Sequence, residues 1–187
     1  MTNEKKQVLD TQPVMLLDDY RKTIGLFATG VTVLIIEHQG EVRCMTANAV
    51  SSLSLEPVQL LVCPSKQSAF AEFVKEGASF SVNVLGVHQE DVSNHFAGAK
   101  TKLAQLPYGN YFIKPSSAPR LTDCIAAFSC TVSKQYDGAD HWIVIGEVNE
   151  LYHNNTSIEP LLFFGGKYHY PAKIEEEHIQ PTGDPYQ

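Results

Sequence analysis

The sequence lacks paired cysteines, an excess of positive charge and any long apolar run, and each absence removes a class of function. Lys and Arg number 14 against 21 Asp and Glu, a formal charge of −7 with the seven histidines neutral. A general nucleic-acid binder is therefore not expected, because releasing phosphate counterions takes a basic surface. The longest unbroken apolar run near the start covers only 33–36, and the first fifteen residues mix charged with few apolar side chains. Neither a signal peptide nor a membrane span is expected. The four cysteines, Cys44, Cys63, Cys124 and Cys130, form no CxxC pair and no zinc-finger spacing with histidine. They read as reduced thiols of a cytoplasmic protein, with no metal site. Also missing are a GxGxxG after a strand, a P-loop, a GxSxG elbow and an HExxH pair. The common hydrolase, kinase and zinc-enzyme readings lose their support.

What is present is a chain of 187 residues with 43% apolar side chains, enough for one substantial core. Residues 1–15 are polar and aperiodic, and 172–187 carry three consecutive glutamates followed by Pro181, Gly183 and Pro185. Both ends read as flexible tails around a single domain over 16–171. Short Val-, Ile- and Phe-rich runs predict strands over 31–36, 42–49, 59–63, 79–85, 125–133, 142–151 and 161–164. Within 79–85, Phe80, Val82 and Val84 alternate with Ser79, Ser81 and Asn83, which predicts a half-buried strand with a free polar face. Helices are expected over 65–76, where Ala69, Phe70, Phe73 and Val74 make one stripe, and over 18–28 and 88–96, packed on the strands. Many strands, few helices and no βαβ alternation predict a mainly β fold, an antiparallel barrel with a few peripheral helices.

Two constellations stand out chemically. The segment 44–57 is rich in hydroxyls and runs from strand into loop: Thr46, Asn48, Ser51, Ser52 and Ser54 are small donors able to face an anion without the bulk of arginine. Lys66 and Ser68 add a cation and helix N-terminal donors nearby. From composition alone, the same segment also reads as a solvated strand end. The second constellation, 137–142, is a turn that delivers His141 into a strand, poised for donor or acid–base duty near neutral pH. An Asp- and Gly-rich turn with an exposed histidine is the plainer reading.

Taken in order, these segments resemble the flavin reductase family of the FMN-binding split-barrel fold, in particular the reductase components of two-component flavin monooxygenases. The resemblance runs from about Tyr20 to Tyr170. It is carried by 27–33 (FATGVTV), 46–57 (TANAVSSLSLEP), 80–85 (FSVNVL), His95-Phe96-Ala97, Asp140-His141, 146–148 (GEV) and 160–168 (PLLFFGGKY). The chain departs from the family pattern at Cys44 and Ala139, where glycine is usual, and at Val58 in place of a second proline. A glycine at such a position serves close approach or positive φ.

The resemblance implies a Greek-key antiparallel split barrel that transfers hydride from NADH or NADPH to FMN or FAD. It further implies a homodimer and a flavin-dependent monooxygenase that receives the reduced flavin. By position it assigns Thr46, Ala47, Asn48, Ser51, Ser52 and Ser54 to the flavin, with Ser68 and Lys66 near its phosphate. Ala28, Thr29, Asn83, Phe96 and Ala97 are placed near the ring system, and His141 on the nicotinamide side as the catalytic candidate. Tyr168 is assigned either to ring packing at the site or to a dimer contact. The alternative is a flavin-binding electron-transfer or storage protein without nicotinamide activity.

Overall fold

A computed structural model describes residues 13–98, 112–113, 117–154 and 158–172. Two helices, α1 (Pro13–Ile24) and α2 (Glu90–Ala97), accompany strands β1 (Thr29–Gly30), β2 (Thr32–His38), β3 (Glu41–Ala47), β4 (Val50–Leu55), β5 (Val58–Val62), β6 (Ser79–Val84), β7 (Phe112–Ile113), β8 (Arg120–Leu121), β9 (Ala126–Gly138), β10 (His141–His153), β11 (Leu162–Phe164) and β12 (Lys167–His169). Seven strands form one sheet in the order β3-β2-β6-β9-β10-β5-β4, three form a second in the order β1-β11-β12, and β7 pairs with β8. Every strand pair is antiparallel.

The edges of the large sheet explain its shape. β3 and β4 stand at opposite ends of the hydrogen-bonded order, yet only Asn48 and Ala49 separate them in the chain. The sheet therefore curls until its two edges meet at that dipeptide, and no ladder joins β3 to β4 among the described residues. Register shifts at Ile145/Gly146 and Val148/Glu150 sharpen the bend of the long β9–β10 hairpin. Gly146 is needed there, because a Cβ would come within 2.7 Å of the Phe80 ring.

β2 separates two cores. Val33 and Ile35 pack with Leu85, Phe96 and Leu161 on one side, while Leu34 and Ile36 pack with Phe70, Phe80 and Val144 on the other. A strand buried on both faces loses the apolar–polar alternation, which accounts for the continuous run at 33–36.

Four expectations need correction. The polar face of β6 is not free: Asn83 and Ser81 are buried, because the segment around 119–121 crosses that face. Ser81 Oγ donates to the Pro119 carbonyl at 2.5 Å, Asn83 Nδ2 donates to the Val33 carbonyl at 3.0 Å and to Ser81 Oγ at 2.9 Å, and Asn83 Oδ1 accepts from the Leu121 N–H at 2.9 Å. The helix expected over 65–76 is only a 3-10 turn at Phe70–Glu72. The Lys66 N–H donates to the Asp140 carbonyl and Ser65 pairs with His141, so the start of this segment lies bridged to the β9–β10 turn. The helix expected over 18–28 is Pro13–Ile24, opened by a proline whose missing N–H costs nothing at a helix start. It does not pack down on the strands: Leu16, Leu17, Tyr20 and Ile24 are all exposed. Finally, 50–55 is a strand, where the hydroxyl-rich composition had predicted a loop. The predicted tails, 1–15 and 172–187, lie outside the described residues apart from the start of α1 and residue 172.

Candidate functional site

The candidate site lies at the seam between β3 and β4. A cavity of about 960 Å³ opens there, walled by Tyr20, Ile24 and Phe27 from the α1 end, Val50 and Leu61 from the sheet, and Phe163 from β11. Its walls are mainly apolar, with Arg21, Thr29, Thr32, Asn48 and Ser51 as the polar exceptions besides the Tyr20 hydroxyl. A large apolar cleft with a few convergent polar groups suits a flat aromatic ligand. A second cavity of about 220 Å³ lies on the other side of Thr46, between the 65–69 loop and the end of α2. Thr46 borders the small cavity and Asn48 the large one. Two residues apart on an extended chain, their Cα atoms are separated by roughly 7 Å.

The predicted residues thus divide between two chambers. Ala28, Thr29, Asn48 and Ser51 line the large one, and Thr46, Ser68, Phe96 and Ala97 line the small one. Ala47 is buried between them, its carbonyl accepting from Thr32 Oγ1 at 2.6 Å. Ser52, Ser54, Lys66, Asn83, His141 and Tyr168 border neither.

Following each hydroxyl proton shows which donors remain for a ligand. Thr46 Oγ1 donates to the Ser93 carbonyl at 2.6 Å, Ser68 Oγ to the Ser65 carbonyl at 2.7 Å, and Ser51 Oγ to the Ser52 carbonyl at 3.1 Å. Those three protons are committed to backbone. In the large cavity, Thr29 Oγ1 accepts from Asn48 Nδ2 at 3.3 Å and keeps its own proton. In the small one, Ser65 Oγ accepts from the Gln67 N–H at 3.3 Å and likewise keeps its proton, while Gln67 adds an exposed carboxamide. Ser65 and Gln67 were missed from sequence, because Lys66 and Ser68 alone had been taken from that loop as a cation and helix N-terminal donors. Tyr20, Ile24 and Phe27 did show their signal, a helical spacing, but it had been taken for a face packed on the strands.

Lys66 is already occupied. Its Nζ lies 2.6 Å from Asp137 Oδ2 and 4.5 Å over the Trp142 ring, so it faces the β9–β10 turn. His141 opens β10 beside it, half-exposed, with Nδ1 2.9 Å from Asp140 Oδ1 and its backbone bridged to Ser65. The hydrogen bond from Lys66 holds the Asp137 carboxyl below its ordinary value, and the contact with His141 does the same for Asp140. Ala139, between them, has φ of 65°, so the alanine adopts the left-handed backbone that the usual glycine would supply. Cys44, by contrast, is an ordinary buried β3 residue.

The thiols take no part as nucleophiles. Burial pushes Cys124 up to about 11 and Cys130 up to about 12, and raises Cys44 and Cys63 as well. All four are free cysteines, and Cys63, on the wall of the large cavity, stays protonated near neutral pH.

Comparison with known proteins places this arrangement. A family model, the flavin reductase like domain, matches residues 24–172. An NADH-dependent flavin reductase from Rhodococcus sp is 33% identical over 151 residues, covering 79% of this chain and 82% of the relative. HsaB, the reductase subunit of a flavin-dependent monooxygenase from Mycobacterium tuberculosis, is 33% identical over 167 residues, 87% of this chain and 85% of the relative. The solved NADH:FAD oxidoreductase SgcE6 of Streptomyces globisporus, in complex with NAD and FAD fragments, is 31% identical with a TM-score of 0.75, covering 86% of this chain and 95% of that one.

Proposed function

We propose that this chain, which belongs to the flavin reductase like family, moves hydride from NADH or NADPH to FMN or FAD and hands the reduced flavin to a monooxygenase. The observation that carries the reading is the pair of cavities at the β3–β4 seam: a large, mainly apolar one, and a small one of mixed lining that carries Thr46, Ser65, Gln67 and Ser68. A flavin has that division, a flat tricyclic ring and a phosphate-bearing tail, so the residues present fit it. The names of the relatives, NADH-dependent among them, favour NADH as donor.

When bound, the flavin supplies the redox chemistry, accepting hydride at N5 from C4 of the nicotinamide. The chain supplies position and shelter. Tyr20, Phe27 and Phe163 would wall the ring system, and Asn48 with Thr29 would offer it N–H and O–H donors. Ser65 and Gln67 donate to the phosphate end, and Thr46, Ser68, Phe96 and Ala97 shape its walls. His141 orients the nicotinamide carboxamide from the β10 entrance, held by Asp140. No covalent nucleophile is needed, and holding two rings together removes much of the entropic cost of the encounter. An open cleft also suits a flavin that must leave to reach an oxygenase.

The chain works as a homodimer, because the apolar side of α1 and Phe27 is left uncovered beside the large cavity. A helix of twelve residues is marginal in water without tertiary packing. Four protonated thiols suit the reducing cytoplasm.

The deciding experiment mixes the purified protein with FMN or FAD and follows NADH and NADPH oxidation by near-ultraviolet absorbance, with enzyme-free controls. Flavin-dependent oxidation is expected. Tight flavin binding with neither nucleotide oxidised would replace the reductase by an electron-transfer or storage protein.

A further inference from the structure

The last described strand and helix α2 are tied together by tyrosines. Tyr168 Oη lies 2.8 Å from Ser93 Oγ, and Ser93 is fully buried although it is polar. The carbonyl of the same Ser93 accepts the Thr46 hydroxyl at 2.6 Å. Tyr168 and Thr46 are therefore both bonded to Ser93, the first at its side chain and the second at its backbone carbonyl, which links β12 through α2 to β3. Two residues further on, Tyr170 Oη donates to Glu90 Oε2 at 2.5 Å. Tyr168 and Tyr170 project from the same side of an extended segment, and Glu90 and Ser93, three apart, share a face of the helix. The segment thus grips α2 at its first turn and at its middle.

The two ends of Tyr168 touch different chambers. Its ring packs edge-on against Phe163, at 5.6 Å between centroids, and Phe163 walls the large cavity. Its hydroxyl bonds the side chain of Ser93, whose carbonyl holds Thr46, and Thr46, with Phe96 and Ala97 at the end of α2, walls the small one. Tyr168 borders neither chamber itself, so any effect on a ligand passes through these neighbours.

We propose that Tyr168 is a positioning residue: its hydroxyl, acting through Ser93 and Thr46, sets the wall of the small cavity and so the grip on the phosphate end of the flavin. The proposal rests on the flavin reading above. Its physical basis is the cost of releasing a buried polar group. Either Tyr168→Phe or Ser93→Ala removes the tie between β12 and α2 and leaves the remaining hydroxyl without that bond, so α2 is free to shift against β3. The ring of Tyr168, left in place on Phe163, keeps the large chamber unchanged.

The test compares FMN with riboflavin, which has the same ring system and no phosphate. Dissociation constants for both are measured by flavin fluorescence quenching on wild type, Tyr168→Phe, Ser93→Ala, the double variant and Tyr170→Phe, each checked for folding by its melting curve. Wild type is expected to bind FMN more tightly than riboflavin. Tyr168→Phe and Ser93→Ala are each expected to weaken FMN about five- to ten-fold with riboflavin held within two-fold. The double variant is expected to be no worse than either single one, since both delete the same bond. Tyr170→Phe, which cuts the exposed tie at the far end of α2, is expected to leave the FMN-to-riboflavin ratio within two-fold.

If Tyr168→Phe and Ser93→Ala weaken both ligands equally, or weaken neither, the positioning role is overturned while the flavin site stands. A double variant as bad as the product of the two singles overturns it as well, and so does a Tyr170→Phe ratio change as large as that of Tyr168→Phe. A wild type that does not distinguish FMN from riboflavin removes the phosphate reading of the small cavity, and the proposal with it. Should Tyr168→Phe fail to fold, Ser93→Ala alone decides between these outcomes.

Discussion

Lys66 holds Asp137 at 2.6 Å across 71 residues of sequence, joining the loop after β5 to the tip of the β9–β10 hairpin. The pair fixes the turn from which His141 enters β10, and it withdraws from the site the cation that sequence reasoning had offered to a phosphate.

Breaking this pair is expected to cost stability and little affinity. The folded Asp137 carboxyl titrates below its ordinary value of 3.8, so its contribution is fully present above that pH and is lost as pH falls through the lower folded value. Asp137→Asn is expected to melt a few degrees below wild type at neutral pH, the gap closing as the medium is acidified beneath 3.8. Lys66→Met is expected to keep the FMN dissociation constant within two-fold. A ten-fold loss would return Lys66 to the phosphate.

Ala139 carries a left-handed backbone at φ of 65°, a conformation that places Cβ against the following carbonyl. Ala139→Gly relieves that strain, partly offset by the greater freedom of the unfolded glycine. The expected gain is about 0.5–1 kcal/mol in urea unfolding, with unchanged turnover. A loss of stability would show that the alanine side chain contributes packing the turn needs.

For His141, the expectation concerns the nucleotide alone. His141→Ala is expected to lower kcat/KM for NADH at least ten-fold, about 1.4 kcal/mol of transition-state stabilisation, while the FMN dissociation constant stays within two-fold. Asp140→Asn, which keeps the shape but removes the carboxylate beside Nδ1, is expected to fall between wild type and His141→Ala. Stopped-flow reduction of bound flavin measures both, and wild-type rates in His141→Ala would end the assignment.

The hydroxyl accounting separates two serines that composition treats alike. Ser65→Ala is expected to weaken FMN about five-fold with riboflavin unaffected, since Ser65 keeps its proton at the small cavity. Ser54→Ala is expected to change neither, because Ser54 lies on β4 away from both chambers and accepts from the Glu56 N–H at 3.2 Å. Fluorescence titration of the two variants with the two ligands gives the answer, and the opposite pattern would place the phosphate on β4.

Tyr20, 62% exposed on α1 beside the large cavity, tests the dimer. Tyr20→Glu puts a charge on the uncovered apolar face, and sedimentation is expected to show a monomer where wild type sediments as a dimer. An unshifted dimer would place the interface elsewhere.

The amino-acid sequence by itself marked most of the long strands, though not β4, because short β-branched runs bounded by turn residues leave few other conformations. What it lacked excluded classes of chemistry, while the family resemblance supplied the flavin reading. It also picked residues that border neighbouring cavities, Asn48 and Ser51 on the large one and Thr46, Ser68 and Phe96 on the small one. Only the tertiary structure decided which of these side chains has a donor to give. A hydroxyl has one proton, and whether it goes to a ligand or to a carbonyl depends on what lies within 3 Å, as with Thr46 and a carbonyl 47 residues away. The same holds for Asn83, whose polar face is closed by a segment 38 residues distant, and for the stretch after Pro64, whose Lys66 N–H bonds the Asp140 carbonyl in the β9–β10 turn. Alternation and helical spacing report on the chain one element at a time, and these outcomes were set by groups far apart in sequence that folding brought within hydrogen-bonding distance.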